Sequence, residues 1–527
     1  MRFDAPYPTF RSPVLASNMV ATSQPLAAQA GLSMLMAGGS AADAAVATAI
    51  ALTVLEPTSN GIGGDAFAIV WDGQGLRGLN GSGRSAKGLN ASKFSGMAAI
   101  PLRGWDTVTV PGAVSAWAEL HARFGKLPFS RLFEPAIHYA RNGFPVGPVT
   151  ARAWQRADAA FEGFDEFRRV FLPGGRAPQP GQLFRNPDQA STLEEIACTN
   201  GESFYRGALA QKIVADAQRN GNPLSESDLG EHQADWVETI STHYHQHELH
   251  EIPPNGQGLA ALMALGILRH FDLASLEPES ADSLHLQIEA MKLAFADCYR
   301  YVSDPATMEF PAPHLLDPDY LASRAELIDL DRAGTPVHGL PKPGGTVYLT
   351  AADSAGMMVS FIQSNYYGFG SGVVVPGTGI ALQNRGAGFV LTPGHPNVVA
   401  GGKRPFHTII PAFLTRGGQP VMSFGVMGGP MQPQGHTQMA VRVIDYGQNP
   451  QAAADAPRWQ VLEGTRVALE RGVADAVLND LTARGHQITQ STIGEDFAFG
   501  GAQLIYRTRN GYIAGSDPRK EGLALGY

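Results

Sequence analysis

Thr346-Val-Tyr-Leu-Thr-Ala-Ala-Asp353, then Ser354-Ala-Gly356, then Met357-Met-Val-Ser-Phe-Ile-Gln363, is a pair of strand-forming runs joined by a short turn. This pattern predicts a β-hairpin. What precedes it differs in kind. Residues 331–345, Asp-Arg-Ala-Gly-Thr-Pro-Val-His-Gly-Leu-Pro-Lys-Pro-Gly-Gly, are rich in Gly and Pro, lack periodicity and predict a loop. A loop thus runs directly into a strand that begins with a hydroxyl residue.

Working outward, further strands are expected near residues 379–382 and 420–424, with helices over 433–446 and 473–484. Toward the N-terminus, Ser40 can cap a helix with Asp43 three residues on as a capping-box acid. The Ala-rich run to Leu55 is apolar enough to be buried, and Glu56-Pro57 ends it. Gly61-Ile-Gly-Gly-Asp65 then leads into a strand over 66–71. Residues 105–330 read as mainly helical, most clearly over 283–301. Helix, glycine turn and strand in this order imply a layered α/β fold.

Composition narrows the function. The chain has 527 residues and is 44% hydrophobic, ample for a large core. Its 61 glycines and 37 prolines are dispersed, which fits many tight turns and not a disordered tract. A net charge of −9 without basic blocks argues against nucleic acid as a partner. Cys198 and Cys298 are too few for a disulfide framework. The start, Met-Arg-Phe-Asp-Ala-Pro-Tyr-Pro, lacks the apolar core of a signal peptide. The longest apolar run, residues 44–55, falls short of the ~20 residues that span a bilayer. A soluble, cytoplasmic protein with no membrane contact is expected.

The junction Gly345-Thr346 carries the chemistry. If the Thr346 hydroxyl attacks the Gly345 carbonyl, the peptide becomes an ester that water can cleave. The new chain would begin at Thr346, with an α-amine of unperturbed pKa near ~8. That amine can serve as base for the adjacent hydroxyl, so one residue supplies both nucleophile and base. A Gly-Gly-Thr tripeptide by itself is an ordinary turn, so the context has to carry the reading.

The context is Ala37-Gly-Gly-Ser-Ala-Ala-Asp-Ala-Ala45, Asn60-Gly-Ile-Gly-Gly-Asp65, Arg84, residues 346–353, Phe369-Gly-Ser-Gly372, Lys403-Arg-Pro405, Gly428-Gly429 and Gly515-Ser-Asp-Pro-Arg519. With these the sequence resembles the γ-glutamyltransferase family over almost its whole length. The resemblance implies a four-layer αββα sandwich of the N-terminal-nucleophile hydrolase type. It implies cleavage into a large subunit, 1–345, and a small subunit, 346–527, forming one intertwined unit. By position, Thr346 matches the nucleophile, and Gly428 and Gly429 match the pair whose N–H groups form the oxyanion hole. Arg84 matches the arginine that binds the substrate carboxylate. Ser364 falls where a hydroxyl meets the nucleophile's amine, and Thr350 lies four residues along the same strand face as Thr346.

Departures from the family pattern point to the substrate. The positions that hold the α-amino group in glutathione-processing members are here Gly388, Arg385 and Tyr366. The paired serines that hold the glutamyl carboxylate are His407 and Thr408. An arginine repels an ammonium group, and residues 390–402 are short compared with the family's lid loop. The expected acyl group therefore carries a carboxylate and no α-ammonium. Gln363-Ser-Asn-Tyr-Tyr-Gly-Phe-Gly-Ser-Gly372 and Arg404-Pro-Phe-His-Thr408 look most like the oxamate amidohydrolase branch, in purine and allantoin breakdown. Alternatives are a glutaryl-cephalosporin acylase, a γ-glutamyl hydrolase or transferase acting on glutathione, and an unprocessed relative that only binds a small anion. The partners expected are a small carboxylate-bearing amide and the two subunits of one precursor, with a homodimer of such pairs left open. No cofactor and no metal is expected.

Two other signals are set aside. His243, His245, His247 and His250 could place three imidazoles on one strand face for zinc, but they lack an acidic or cysteine companion at typical spacing. Gly61-Ile-Gly-Gly-Asp65 follows a helix and lacks the Lys-Ser/Thr of a phosphate loop, so it reads as a structural loop supporting the pocket.

Overall fold

Ser40 caps helix Ala41–Leu55, and its capping box with Asp43 is complete. Every residue of this helix is buried. A helix apolar on all sides must lie inside the molecule, and this one packs against the outer face of a seven-stranded sheet. The computed structural model describes residues 11–336, 345–491 and 497–527.

The first sheet runs, in order, Leu523–Gly526, Met19–Thr22, Gly345–Ala352, Met358–Tyr366, Asp65–Trp71, Leu76–Asn80 and Asp235–Val237. The second runs Val14–Ala16, Gly511–Ser516, Gly501–Thr508, Gln419–Met427, Ala412–Arg416, His247–Glu251 and Ile240–Tyr244. All pairings within both are antiparallel. Alternation along each strand sends side chains to opposite faces. Leu349, Phe361 and Val70 face the helical layer containing Ala41–Leu55. Tyr348, Ile362, Phe67, Phe413 and Ile505 fill the space between the sheets. Leu414, Phe424 and Leu504 face helices Gly258–Leu268, Ala281–Tyr301 and Met431–Ile444. This is a four-layer αββα sandwich of α/β class.

The hairpin forms as expected, its second strand running on to Tyr366. Helix Ala281–Tyr301 matches the reading of 283–301. Residues 379–382 hold only the two-residue strand Ile380–Ala381, paired with Val374–Val375. The mainly helical middle also contains three strands, between Asp235 and Glu251, that border the sheets. Their hairpin overturns the single-strand arrangement of histidines. His245 sits in the turn with φ 53°, so His243 and His247 belong to different strands. His245 instead meets Asp445 at 2.8 Å.

Cys198 and Cys298 are free thiols, one exposed and one buried. Among the described residues no helix is long and apolar enough to cross a membrane. The N-terminal stretch read for a signal peptide, and residues 337–344 of the loop before the hairpin, lie outside the described residues.

Candidate active site

Thr346 is the second residue of strand Gly345–Ala352 and is 3% exposed. The pairing with Met358–Tyr366 is irregular between Gly345 and Val347. Such a bulge re-aims a side chain at a strand end. The Thr346 hydroxyl donates to Ser364 Oγ at 3.3 Å and accepts from Gln432 Nε2 at 3.4 Å. Ser364 Oγ also accepts the Tyr366 N–H at 2.8 Å. Gln432 lies in the first turn of helix Met431–Ile444 and is itself held by the Ile410 N–H, at 2.9 Å.

Gly428 and Gly429 link strand Gln419–Met427 to that helix. Their φ values, 126° and 60°, lie where only glycine is comfortable. Their carbonyls accept from the helix's first N–H groups, those of Met431 and Gln432, both at 3.1 Å. Among the described residues no acceptor meets the N–H of either glycine. Gln257 Nε2 ties this turn to the opposite wall, donating to the carbonyls of Gly429 at 2.8 Å and Thr408 at 2.5 Å.

Arg385 is fully buried in the short helical turn Arg385–Gly388. Its guanidinium lies 4.2 Å over the Tyr366 ring and donates through Nη1 to Thr408 Oγ1 at 2.8 Å. Among the described residues Nε and Nη2 have no hydrogen-bond partner. Burial draws its pKa down to about 10, against the support of Tyr366 and Asp65. Tyr366 pairs with Gly345 in the sheet and adopts φ 77°. A left-handed tyrosine is costly and such residues cluster at functional sites. Arg385 is therefore anchored beside the strand that carries Thr346.

Asp65 faces Ser364 across the sheet and is also fully buried. Oδ1 accepts the Gly112 N–H and Oδ2 accepts from His407 Nε2, both at 3.0 Å. Because His407 Nδ1 accepts the Ile409 N–H at 3.3 Å, the ring proton belongs on Nε2. Burial and then the charges of Arg385 and Arg404 hold His407 well below the usual histidine range, so the imidazole is neutral. Burial pushes the Asp65 carboxyl up to about 7, with Arg385 pulling the other way.

A cavity of about 660 Å³ opens beside Tyr366 and Gly388, with Tyr299, Phe389, Asn397 and Phe406 among its walls. The segment 390–402, read as a short lid, lines it through Val390 and Thr392 to His395.

A family model described as gamma-glutamyltranspeptidase matches residues 27–527. The chain belongs to the gamma-glutamyltranspeptidase family. It is 36% identical over 532 residues to an oxamate amidohydrolase proenzyme of Klebsiella pneumoniae, covering 98% of this chain and 99% of that one. It is also 36% identical over 528 residues to a glutathione hydrolase-like YwrD proenzyme of Bacillus subtilis, with the same coverage. The solved structure of a cephalosporin acylase from Bacillus halodurans is 49% identical, with a TM-score of 0.96, covering 100% of this chain and 99% of that one.

In this member of the family the structure brings together Thr346, Ser364, Gly428, Gly429, Tyr366, Arg385, His407 and Thr408. It does not bring in Arg84. That side chain is half-exposed and paired with Asp304 at 2.8 Å, and among the described residues no contact links it to Thr346 or Arg385. Nor does it bring in Thr350. Four residues along a strand is roughly 13 Å, and its hydroxyl is taken by Ser423 at 2.6 Å and the Val359 carbonyl at 3.0 Å. Thr350 ties the two sheets together, so its expected catalytic part is withdrawn. His407 faces Asp65 instead of standing free for a carboxylate.

Gln432, Gln257 and Asp65 escaped the sequence reading. Asp65 carried the best signal, an acid closing a glycine-rich turn at the first residue of a buried strand. Among the described residues one group could gather a metal, His285, Glu289 and His486. There His285 Nδ1 and His486 Nε2 meet directly at 2.8 Å, and Lys292 takes Glu289 at 2.7 Å, so hydrogen bonds already occupy the ligand atoms.

Proposed function

We propose that the chain cleaves itself between Gly345 and Thr346, and that the resulting N-terminal threonine hydrolyses the half-amide of a short dicarboxylic acid. Arg385 carries this reading: a buried guanidinium beside the strand of Thr346, with two N–H-bearing nitrogens, Nε and Nη2, left without acceptors among the described residues. A buried cation of this kind favours a carboxylate that can accept both bonds at once. An α-ammonium in its place would meet a like charge in a dry site. A γ-glutamyl group therefore fits poorly, and its counterpart without the amine fits well.

The steps follow from the contacts. In the precursor, Thr346 Oγ attacks the Gly345 carbonyl carbon, the C–N bond breaks, and water hydrolyses the ester. The freed α-amine then takes the hydroxyl proton as Oγ attacks the substrate amide. The Gly428 and Gly429 N–H groups face the oxyanion, Ser364 and Gln432 hold the hydroxyl, and the amine leaving group departs with the proton. Water releases the diacid from the acyl-enzyme by the same route. No step calls on a metal or cofactor.

Oxamate is the smallest half-amide of this class, and the oxamate amidohydrolase relative supports it as the first substrate to test. The cavity of about 660 Å³ supports a second reading, a longer diacid on a bulky amine, as does the similarity to a cephalosporin acylase. Steady-state assays on oxamate, glutaryl anilide and γ-glutamyl anilide decide between them, with Thr346→Ala as the inactive control. The proposal expects two bands on a denaturing gel and turnover of at least one of the first two substrates. γ-Glutamyl anilide turning over as well as glutaryl anilide would refute the carboxylate-only site, and a single intact band would mark an unprocessed binder.

A further inference from the structure

The Arg385 site holds two features that compete. The guanidinium offers Nε and Nη2 to an incoming carboxylate, yet its charge already acts on a buried carboxylate, that of Asp65. Their hydrogen-bond partners are adjacent residues, Thr408 for Arg385 and His407 for Asp65. All four side chains are buried. A second carboxylate arriving here would leave two anions sharing one cation away from water. Like charges in such a site cannot both stay ionised at ordinary cost.

We infer that Asp65 takes up a proton from solvent when the substrate carboxylate binds Arg385, so that Asp65 sets both the affinity for the acyl group and its dependence on pH. This rests on the reading of Arg385 as the carboxylate site. The charge balance is simple. Free and above neutrality, the pocket holds Arg385 positive and Asp65 negative. Bound, it holds Arg385 positive, the substrate carboxylate negative and Asp65 neutral. The proton comes from water and returns when the diacid leaves.

The groups facing Asp65 leave it as the proton acceptor. His407 stays neutral, its Nδ1 filled by the Ile409 N–H and its charged form opposed by Arg385 and Arg404. From the 403–405 segment Arg404 acts on Asp65 at longer range, its own guanidinium committed to the Ser82 carbonyl and Asp235. Tyr205 senses Asp65 but is held protonated by burial, and Tyr366 and Tyr367 behind Arg385 are likewise pushed up. A buried carboxyl already titrating near neutrality needs only a modest further push.

The sign follows by linkage. Below neutrality Asp65 is already protonated and binding is indifferent to pH. Above neutrality each carboxylate bound costs one proton, so Kd for a dicarboxylate rises, by at most about tenfold per pH unit. Isothermal titration of the mature enzyme with glutarate, in buffers of different ionisation heat, counts the protons. Close to one proton should be taken up at about pH 8 and almost none at about pH 6. An N-terminal amine has an ordinary pKa of ~8, so Asp65→Asn is the comparison, and it should abolish most of the uptake and flatten the pH dependence of KM. Should that variant fail to fold, difference infrared spectra of the wild type with ¹³C-labelled glutarate give the same answer. A protonated, unlabelled carboxyl band should appear on binding at about pH 8. Glutarate that binds without proton uptake overturns the role of Asp65, whereas glutarate that does not bind at all overturns the Arg385 site beneath it.

Discussion

At the scale of single residues, two arginines competed for one task, and burial separates them. Arg84 is half-exposed and held by Asp304, whereas Arg385 is sealed in with donors to spare. Arg385→Met keeps the side chain's length and its contact with Tyr366 while removing the donors. Charge-assisted hydrogen bonds contribute about 1.5–3 kcal/mol, so kcat/KM for a carboxylate-bearing amide should fall roughly 10- to 150-fold, mainly through KM. Arg84→Met should change it by no more than a few-fold. Parallel Michaelis curves for the two variants check this, and equal losses would return the anchor to Arg84. Arg385→Lys should not restore the rate, because an ammonium cannot reproduce the planar fork. Thr346, Gly428 and Gly429 stood out in the sequence because each proposed role needs one residue type at one place: a hydroxyl at the proposed cleavage point, or a backbone free of Cβ. Asp65 and Gln432 were not legible. Their meaning comes from what stands opposite them, His407 and Thr346, and those partners lie 342 and 86 positions away in the chain.

At the scale of elements, the buried helix Ala41–Leu55 depends on one carboxylate. Asp43 Oδ2 accepts the N–H of Ser40 at 2.9 Å, of Lys126 at 2.8 Å and of Leu127 at 3.2 Å. It therefore fixes both the helix start and the loop after helix Ala113–Phe124. Asp43→Ala would strand these donors, two of them across a tertiary contact, at about 1–3 kcal/mol for each group left buried without a partner. The denaturant midpoint should drop by an amount equivalent to several kcal/mol, while the hydrophobic packing stays the same. Asp43→Asn, which keeps an acceptor, should recover much of the loss, and equal midpoints for the Ala and Asn variants would show that the cap carries little. This helix was readable because capping box and apolar run are local signals. The strands between Asp235 and Glu251 were not. They are short and carry three histidines among their polar residues, and one of them, Asp235–Val237, pairs along only three residues. Partners far along the chain make them strands, and no local window contains those partners.

At the scale of the whole molecule, the proposed cleavage point lies at the start of a sheet strand. Strand Met19–Thr22 sits between Leu523–Gly526 and Gly345–Ala352. A segment of the proposed large subunit is thus clasped by two segments of the small one. Asp65–Trp71 is bonded to Met358–Tyr366, and in the second sheet Val14–Ala16 pairs with Gly511–Ser516 and His247–Glu251 with Ala412–Arg416. The layer of side chains between the sheets draws on both subunits as well, with Phe67 and Ile252 from one and Tyr348, Phe413 and Ile505 from the other. Separation would break backbone ladders and open this core together, so it should require global unfolding. After processing, the two fragments should co-elute in size exclusion at the position of the uncut Thr346→Ala chain or of the same multiple of it. They should part only in denaturant, across a single transition seen alike by tryptophan fluorescence and by loss of co-elution. Fragments that separate in buffer alone would mean that the sheets are not shared as described. The same interleaving bears on the chemistry. Thr346 and Gln432 would belong to the small subunit, whereas Asp65 and Gln257 would come from the large one. A dissociated small subunit would therefore keep Thr346 and the glycine pair but lose Gln257, which holds the Gly429 carbonyl, and Asp65, which holds His407, and it should be inactive on every substrate tested.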